Sequence, residues 1–171
     1  SKTILYNNNV KDQFQQFFEN EATFTLGVCN GCQMLSNLKD IIPEADYWPS
    51  FERNFSDQFE ARLVQVKVEN TNSVLLRNMN GWTVPVASAH GEGRANFEMN
   101  NLEELKKQNQ IAMKFVDSSA EYTEVYPLNP NGSPEGITGI TAASGRITIM
   151  MPHPERVFRK YQICLLYTSP S

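Results

Sequence analysis

The sequence predicts an α/β protein with a mostly parallel central sheet flanked by helices. Two observations carry that prediction. A helical pattern, a short apolar β-favouring run and a second helical pattern follow one another in the first 42 residues, which is the order of a parallel α/β unit. Further strand patterns then recur along the rest of the chain, separated by loop-forming stretches.

Each element has its own signal. Val10, Phe14, Phe17 and Phe18 recur at helical spacing, so residues 10–20 read as an amphipathic helix. "TFTLGV" (23–28) is a short apolar, β-favouring run and reads as a buried strand. "GCQMLSNLKDII" (31–42) places Met34, Leu35, Leu38 and Ile42 on one helical face and is ended by Pro43. "ARLVQVKVEN" (61–70) alternates, with Val64, Val66 and Val68 on one side of a half-buried strand. "GWTVPVASAHGEG" (81–93) reads as a strand running into a glycine-rich loop, and "NNLEELKKQN" (100–109) as a short helix with an Asn cap. "IAMKFVD", "YTEVYP", "ITGITA" and "RITIMM" are strand candidates, the last two joined by a hairpin turn at Ser144-Gly145. "NPNGSPEG" (129–136) is a loop by composition. No repeat and no linker divides the chain, so residues 1–162 read as one domain.

Composition narrows the function classes. Of the 171 residues, 40% are hydrophobic and 20% charged, ordinary values for a globular domain with a core. The net charge is -4 and no Lys/Arg block interrupts the mixture, which argues against a nucleic-acid partner. No apolar run approaches the roughly 20 residues of a membrane span, and the first residues lack the apolar core of a signal peptide. Three cysteines, an odd number, argue against a disulfide framework and for a reducing compartment, hence a cytoplasmic location.

Two of those cysteines stand in "GVCNGCQ" (27–33). Cys29 falls where the buried strand meets a helix, the position of a nucleophile elbow: the turn lifts the side chain above the sheet, and Gly27 and Gly31 let the backbone bend. The backbone N–H groups that follow, Asn30 first, lie at a helix N-terminus. There they are expected to lower the thiol pKa and to stabilise an oxyanion. Cys32 comes one turn later and is expected to point into the packing. A structural zinc needs four ligands, and His90 and His153 lie far off in no finger-like spacing. A redox CxxC and a pair of merely buried cysteines are the other readings.

"MMPHPER" (150–156) favours the nucleophile. Pro152 and Pro154 are expected to hold an extended backbone, so that His153 and Glu155 share a side. The carboxylate then fixes the imidazole and leaves its other nitrogen to serve a thiol, with Cys29 Sγ expected about 3–4 Å from that nitrogen.

These residues match a family pattern. "GVCNGCQ" has the G-x-C-x-G-x-Q form of class I (triad) glutamine amidotransferases, and "PHPE" supplies their His-x-Glu. "RNFSDQFEARLV", "ASAHGEGR", "NPNGSPEGITGIT" and "MMPHPERVFR" resemble the C-terminal glutaminase domain of phosphoribosylformylglycinamidine synthases of the large single-chain form, over residues 2–162. The resemblance implies a truncated class I glutaminase fold, with Cys29, His153 and Glu155 as the triad and the Asn30 N–H as an oxyanion donor. It also implies that Gln33 and His90 contact the substrate glutamine. It implies no metal and no cofactor in this domain, and ATP and Mg²⁺ in a synthetase domain that receives the ammonia.

The family's domain begins well before Ser1, with a glycine-rich loop that supplies a second oxyanion donor, so the chain alone is expected to be a poor glutaminase. Residues 163–171 share no pattern with what precedes them and read as a non-native tail, the translation of a sequencing adapter. Two other functions stay open at this point: a different Cys-His-Glu hydrolase of the same fold, and a non-catalytic docking module for a synthetase.

Overall fold

Helical spacing and β-alternation become real elements along most of the chain. The structure, a computed structural model, describes residues 2–159. The domain boundary at 162 and the tail 163–171 lie outside the described residues. In chain order the elements are α1 (Lys2–Tyr6), α2 (Asn8–Glu19), β1 (Thr25–Val28), α3 (Asn30–Ser36), β2 (Ser50–Glu52), β3 (Glu60–Val68), β4 (Thr83–His90), β5 (Arg94–Asn96), α4 (Asn101–Lys107), β6 (Ile111–Phe115), β7 (Ile137–Thr141) and β8 (Ile147–Met150). No described helix is long and apolar enough to cross a membrane.

Local chemistry sets several boundaries. Asn7 caps α2 by accepting the Val10 N–H at 3.3 Å. The helical pattern over 31–42 yields α3 and then a 3₁₀ turn at Lys39–Ile41, ahead of Pro43. Asn100 does precede α4, but its backbone is left-handed (φ 72°) and its side chain makes no capping bond. The helix instead carries Glu103 and Glu104 in its first turn and Lys106 and Lys107 in its last, which suits the helix dipole. "YTEVYP" is not a strand. Its backbone meets the sheet through one bridge, Val116 to Tyr122, and Tyr122, Val125 and Tyr126 stay exposed while Thr123 O is taken by the Asn129 amide at 3.0 Å.

Six strands form one sheet in the order β1-β8-β7-β6-β3-β4, and β2 pairs with β5 in a separate ribbon. The expected mostly parallel sheet is not what the described residues form. Only β1 and β8 run parallel; β8–β7, β7–β6, β6–β3 and β3–β4 are all antiparallel. For β7 and β8 the reason is connection length, since strands joined by a short turn must reverse direction. The other antiparallel neighbours are joined by long segments or are not consecutive, so their direction is set by tertiary pairing. The β7–β8 turn is the predicted hairpin: Gly145 (φ 75°) donates its N–H to Ala142 O at 2.8 Å. A side chain at 145 would also overlap the Asn72 carbonyl.

The sheet carries a core on each face. Phe18, Leu35, Leu38, Trp48, Leu105, Ile140, Ile147 and Ile149 form one, beneath the helices. Val64, Val66, Val68, Val86, Met113, Phe115 and Met150 form the other. Ile149 and Met150 enter different cores, as alternation along a strand requires. Each fully buried large apolar side chain contributes roughly 1.5–3 kcal/mol. The sheet also curls on itself. β4 stands last in strand order from β1, yet Ala87 on it bridges His153, which follows β8.

Candidate active site

Parallel pairing of β1 and β8 brings their C-terminal ends side by side, and both chemical motifs leave the sheet there. Cys29 follows β1 directly, and its N–H donates to Met150 O on β8 at 2.9 Å. His153 follows β8 and is anchored by its own N–H, which donates to Ala87 O on β4 at 2.7 Å. The curled-over β4 thus closes the third side. The cleft between them, about 610 Å³, is lined by Cys29, Asn30, Gln33, Phe59, Ala89, His90, Gly91, Glu92, His153 and Arg156 among others.

Every residue expected at the site from sequence is therefore in this cleft, except Glu155, which stands behind His153. Cys29 sits at φ 52°, ψ -108°, ahead of the first residue of α3. Such a backbone is costly for a residue with a side chain and marks a place where position matters more than local comfort. Gly27 is required beneath it: a Cβ there would collide with Leu35 and the Gly31 carbonyl. Cys32 is fully buried in the helix-side core, as expected for a small packing residue, and burial pushes its thiol pKa well up.

The thiol of Cys29 behaves differently from the expectation. Partial burial raises its pKa, against the lowering effects of the Asn30 N–H and the Arg156 charge, while Glu155 adds to the rise. The helix start does act in the expected direction, but desolvation of the thiolate outweighs it. The direct thiol–imidazole bond is also not made. Cys29 Sγ lies 3.9 Å from Ala89 O, and His153 Nε2, buried, has no hydrogen-bond partner.

His153 and Glu155 are joined, by a route other than the extended one expected. Pro154 starts a 3₁₀ turn over Pro154–Arg156, and across that turn His153 Nδ1 meets Glu155 Oε1 at 2.7 Å. Proline is well placed there because the first position of a helical turn needs no N–H donor. Burial pushes the Glu155 carboxyl up, but the hydrogen bond to His153, its own backbone N–H and the His153 and Arg156 charges together bring it below the usual range.

Gln33 donates from Nε2 to Glu92 O at 2.6 Å, linking α3 to the loop after β4. His90 is buried at the end of β4, and burial, reinforced by His153 and opposed by Glu60, holds its pKa down at about 4. Arg156, Phe59 and Glu92 also line the cleft and were not singled out from sequence. The signal for Arg156 was its place directly after His-x-Glu; nothing local marked Phe59.

The family profile of the CobB/CobQ-like glutamine amidotransferase domain matches residues 1–168. The chain belongs to this glutamine amidotransferase family. Among solved structures, the chain is similar to PurLQS from Thermotoga maritima at 22% identity and a TM-score of 0.60. That match covers 96% of this chain and 68% of the other. At that identity it shows a shared fold. The cleft holds a thiol at a strand end, a buried imidazole backed by a carboxylate, and backbone N–H groups at a helix start. Among the described residues no group of three or more His, Cys, Asp or Glu side chains is arranged to hold a metal ion.

Proposed function

We propose that this chain is the glutaminase domain of a phosphoribosylformylglycinamidine synthase of the large single-chain form, supplying ammonia for purine biosynthesis. One observation carries the reading: the thiol of Cys29 and the imidazole of His153, 124 residues apart by their numbers, open into one cleft at the ends of two parallel neighbours, with Glu155 bonded behind the imidazole. The family match and the stretches "ASAHGEGR", "NPNGSPEGITGIT" and "MMPHPERVFR" support it.

Cys29 acts as the nucleophile of an elbow between β1 and α3. Its raised pKa means that the resting thiol keeps its proton. His153 takes that proton on Nε2 as sulfur bonds to the side-chain amide carbon of glutamine, which requires the thiol to swing from Ala89 O toward the ring. Negative charge then builds on the amide oxygen, where the Asn30 N–H donates. The imidazolium, paired with Glu155, returns the proton to the amide nitrogen. The C–N bond breaks, ammonia leaves, and a glutamyl thioester remains on Cys29. Water, deprotonated by His153, hydrolyses it to glutamate and the free thiol. Gln33 and His90 help hold the substrate. The ammonia passes to a synthetase partner, which uses ATP and Mg²⁺ to convert formylglycinamide ribonucleotide into its amidine.

The test is glutamate release from glutamine by the purified chain, with mass spectrometry of the protein quenched during turnover. A glutamyl adduct on the peptide carrying Cys29 is expected. Hydrolysis of peptides or esters with no adduct from glutamine would assign the cleft to another hydrolase. Complex formation with a synthetase and overall activity both left intact by Cys29→Ala would make it a docking module.

A further inference from the structure

Two stretches singled out from sequence, "RNFS" and "NPNG", hold residues that the chemistry above does not use. Each sends one buried asparagine to the loop at residues 90–93, which forms one wall of the cleft. Asn54 Nδ2 donates to His90 O at 2.8 Å and to Gln58 O at 3.0 Å, and its Oδ1 accepts the Gly93 N–H at 3.1 Å. Its backbone N–H donates to Gly91 O at 3.0 Å. One residue thus satisfies backbone groups of 90, 91 and 93.

Asn131 completes the hold. Its Nδ2 donates to Gly93 O at 2.7 Å and its Oδ1 accepts the Ser133 N–H at 3.0 Å. Those two partners, one an acceptor and one a donor, fix which end of the amide carries the nitrogen. The remaining N–H of that Nδ2 faces His90 Nε2 at 3.4 Å. A donor facing a ring nitrogen requires that nitrogen to be bare, so the single proton of a neutral imidazole sits on Nδ1, which is buried and makes no hydrogen bond of its own. The ring can lie there only because residue 93 is glycine, where a Cβ would overlap it.

We propose that Asn54 and Asn131 are positioning residues of the glutamine site, which lock the 90–93 loop and hold His90 in its Nδ1–H tautomer beside His153. The functional half of this rests on the glutaminase reading; the tautomer does not. The charged and titratable groups acting on His90 are His153, which follows β8, and Glu60, its partner across from β3. A proton gained by His90 would oppose the proton that His153 must carry in mid-reaction, since like charges at close range disfavour each other. An uncharged, oriented His90 leaves that proton free to form.

The experiment is ¹⁵N long-range NMR of the histidine rings in the whole chain, which has two histidines and so two ring systems. The unmodified chain should show one ring with Nε2 bare, uncharged down to about pH 5, and a slowly exchanging Gly93 amide. Asn131→Asp replaces the donor with an acceptor. It should move that proton to Nε2, raise the titration by a unit or more, and cut kcat for glutamine on the order of tenfold with the acid limb shifted upward. Asn54→Asp keeps the acceptor for Gly93 but loses the donor to His90 O, and should raise KM more than it lowers kcat. An Nε2–H ring or a fast Gly93 amide in the unmodified chain overturns the proposal without any variant having to fold. Unchanged ring titration in Asn131→Asp overturns it as well. The expected ring with no glutamyl adduct on Cys29 from glutamine counts against the glutaminase reading alone.

Discussion

The Cys29 N–H donates to the Met150 carbonyl at 2.9 Å, tying the end of β1 to the end of β8. Met151 and Pro152 alone separate that carbonyl from His153. The strand that delivers the thiol and the strand that delivers the imidazole are therefore bonded neighbours running the same way. Ligand sites of α/β sheets gather at the carboxyl ends of parallel strands for this reason.

Glu155 orients an imidazole whose other nitrogen is buried and unpaired. Glu155→Gln can still meet Nδ1, but it no longer carries the charge that supports an imidazolium. Turnover of glutamine should drop by on the order of 10²-fold or more, with KM little changed. Steady-state kinetics checks this, and a kcat within a factor of two of the unmodified chain would remove Glu155 from the mechanism.

The two cysteines should separate cleanly. Cys29→Ala should abolish the glutamyl adduct and nearly all turnover. Cys32→Ala, in the core under α3, should retain most turnover and lose about 1 kcal/mol of stability. Chemical denaturation and adduct mass spectrometry read both. The reverse order of activities would put the nucleophile one turn along the helix.

Gly93 lies where a methyl group would overlap the His90 ring. Gly93→Ala should therefore displace His90 or cost about 1–3 kcal/mol of overpacking, with loss of glutamine turnover in either case. A crystal structure and a thermal melt distinguish the two. Full activity with an unmoved ring would mean that the loop yields more easily than its bonds to Asn54 and Asn131 imply.

His90 gives a pH dependence whose sign can be worked out. Its pKa is near 6.5 unfolded and about 4 folded. Between those values the unfolded chain binds a proton that the folded chain does not, so stability falls as pH drops through that window. The full effect is roughly 3 kcal/mol. His90→Gln removes this contribution, so its melting temperature should fall less between pH 7 and pH 4.5 than that of the unmodified chain, by thermal melts at both pH values. Parallel slopes would show that His90 is not buried uncharged.

The sequence by itself determined the elements whose signal is local. Phe14 and Phe18 at helical spacing, Val64, Val66 and Val68 in alternation, and glycine in the turn at 145 each became the expected element. The residues of the candidate site were legible too, because Cys29 after a strand and His153 two residues from Glu155 are short-range patterns. Only the tertiary structure decided how these were assembled. That the sheet is mainly antiparallel depends on which strands pair across long connections, and helical and strand patterns do not encode pairing. That β4 curls back to bond His153, and that Asn54 and Asn131 clamp the loop beside it, depends on segments brought together across up to 77 positions between Asn54 and Asn131. The resting state of the Cys29 thiol was decided the same way. Its helix-start donor was visible in sequence, but the burial that outweighs it belongs to the folded cleft.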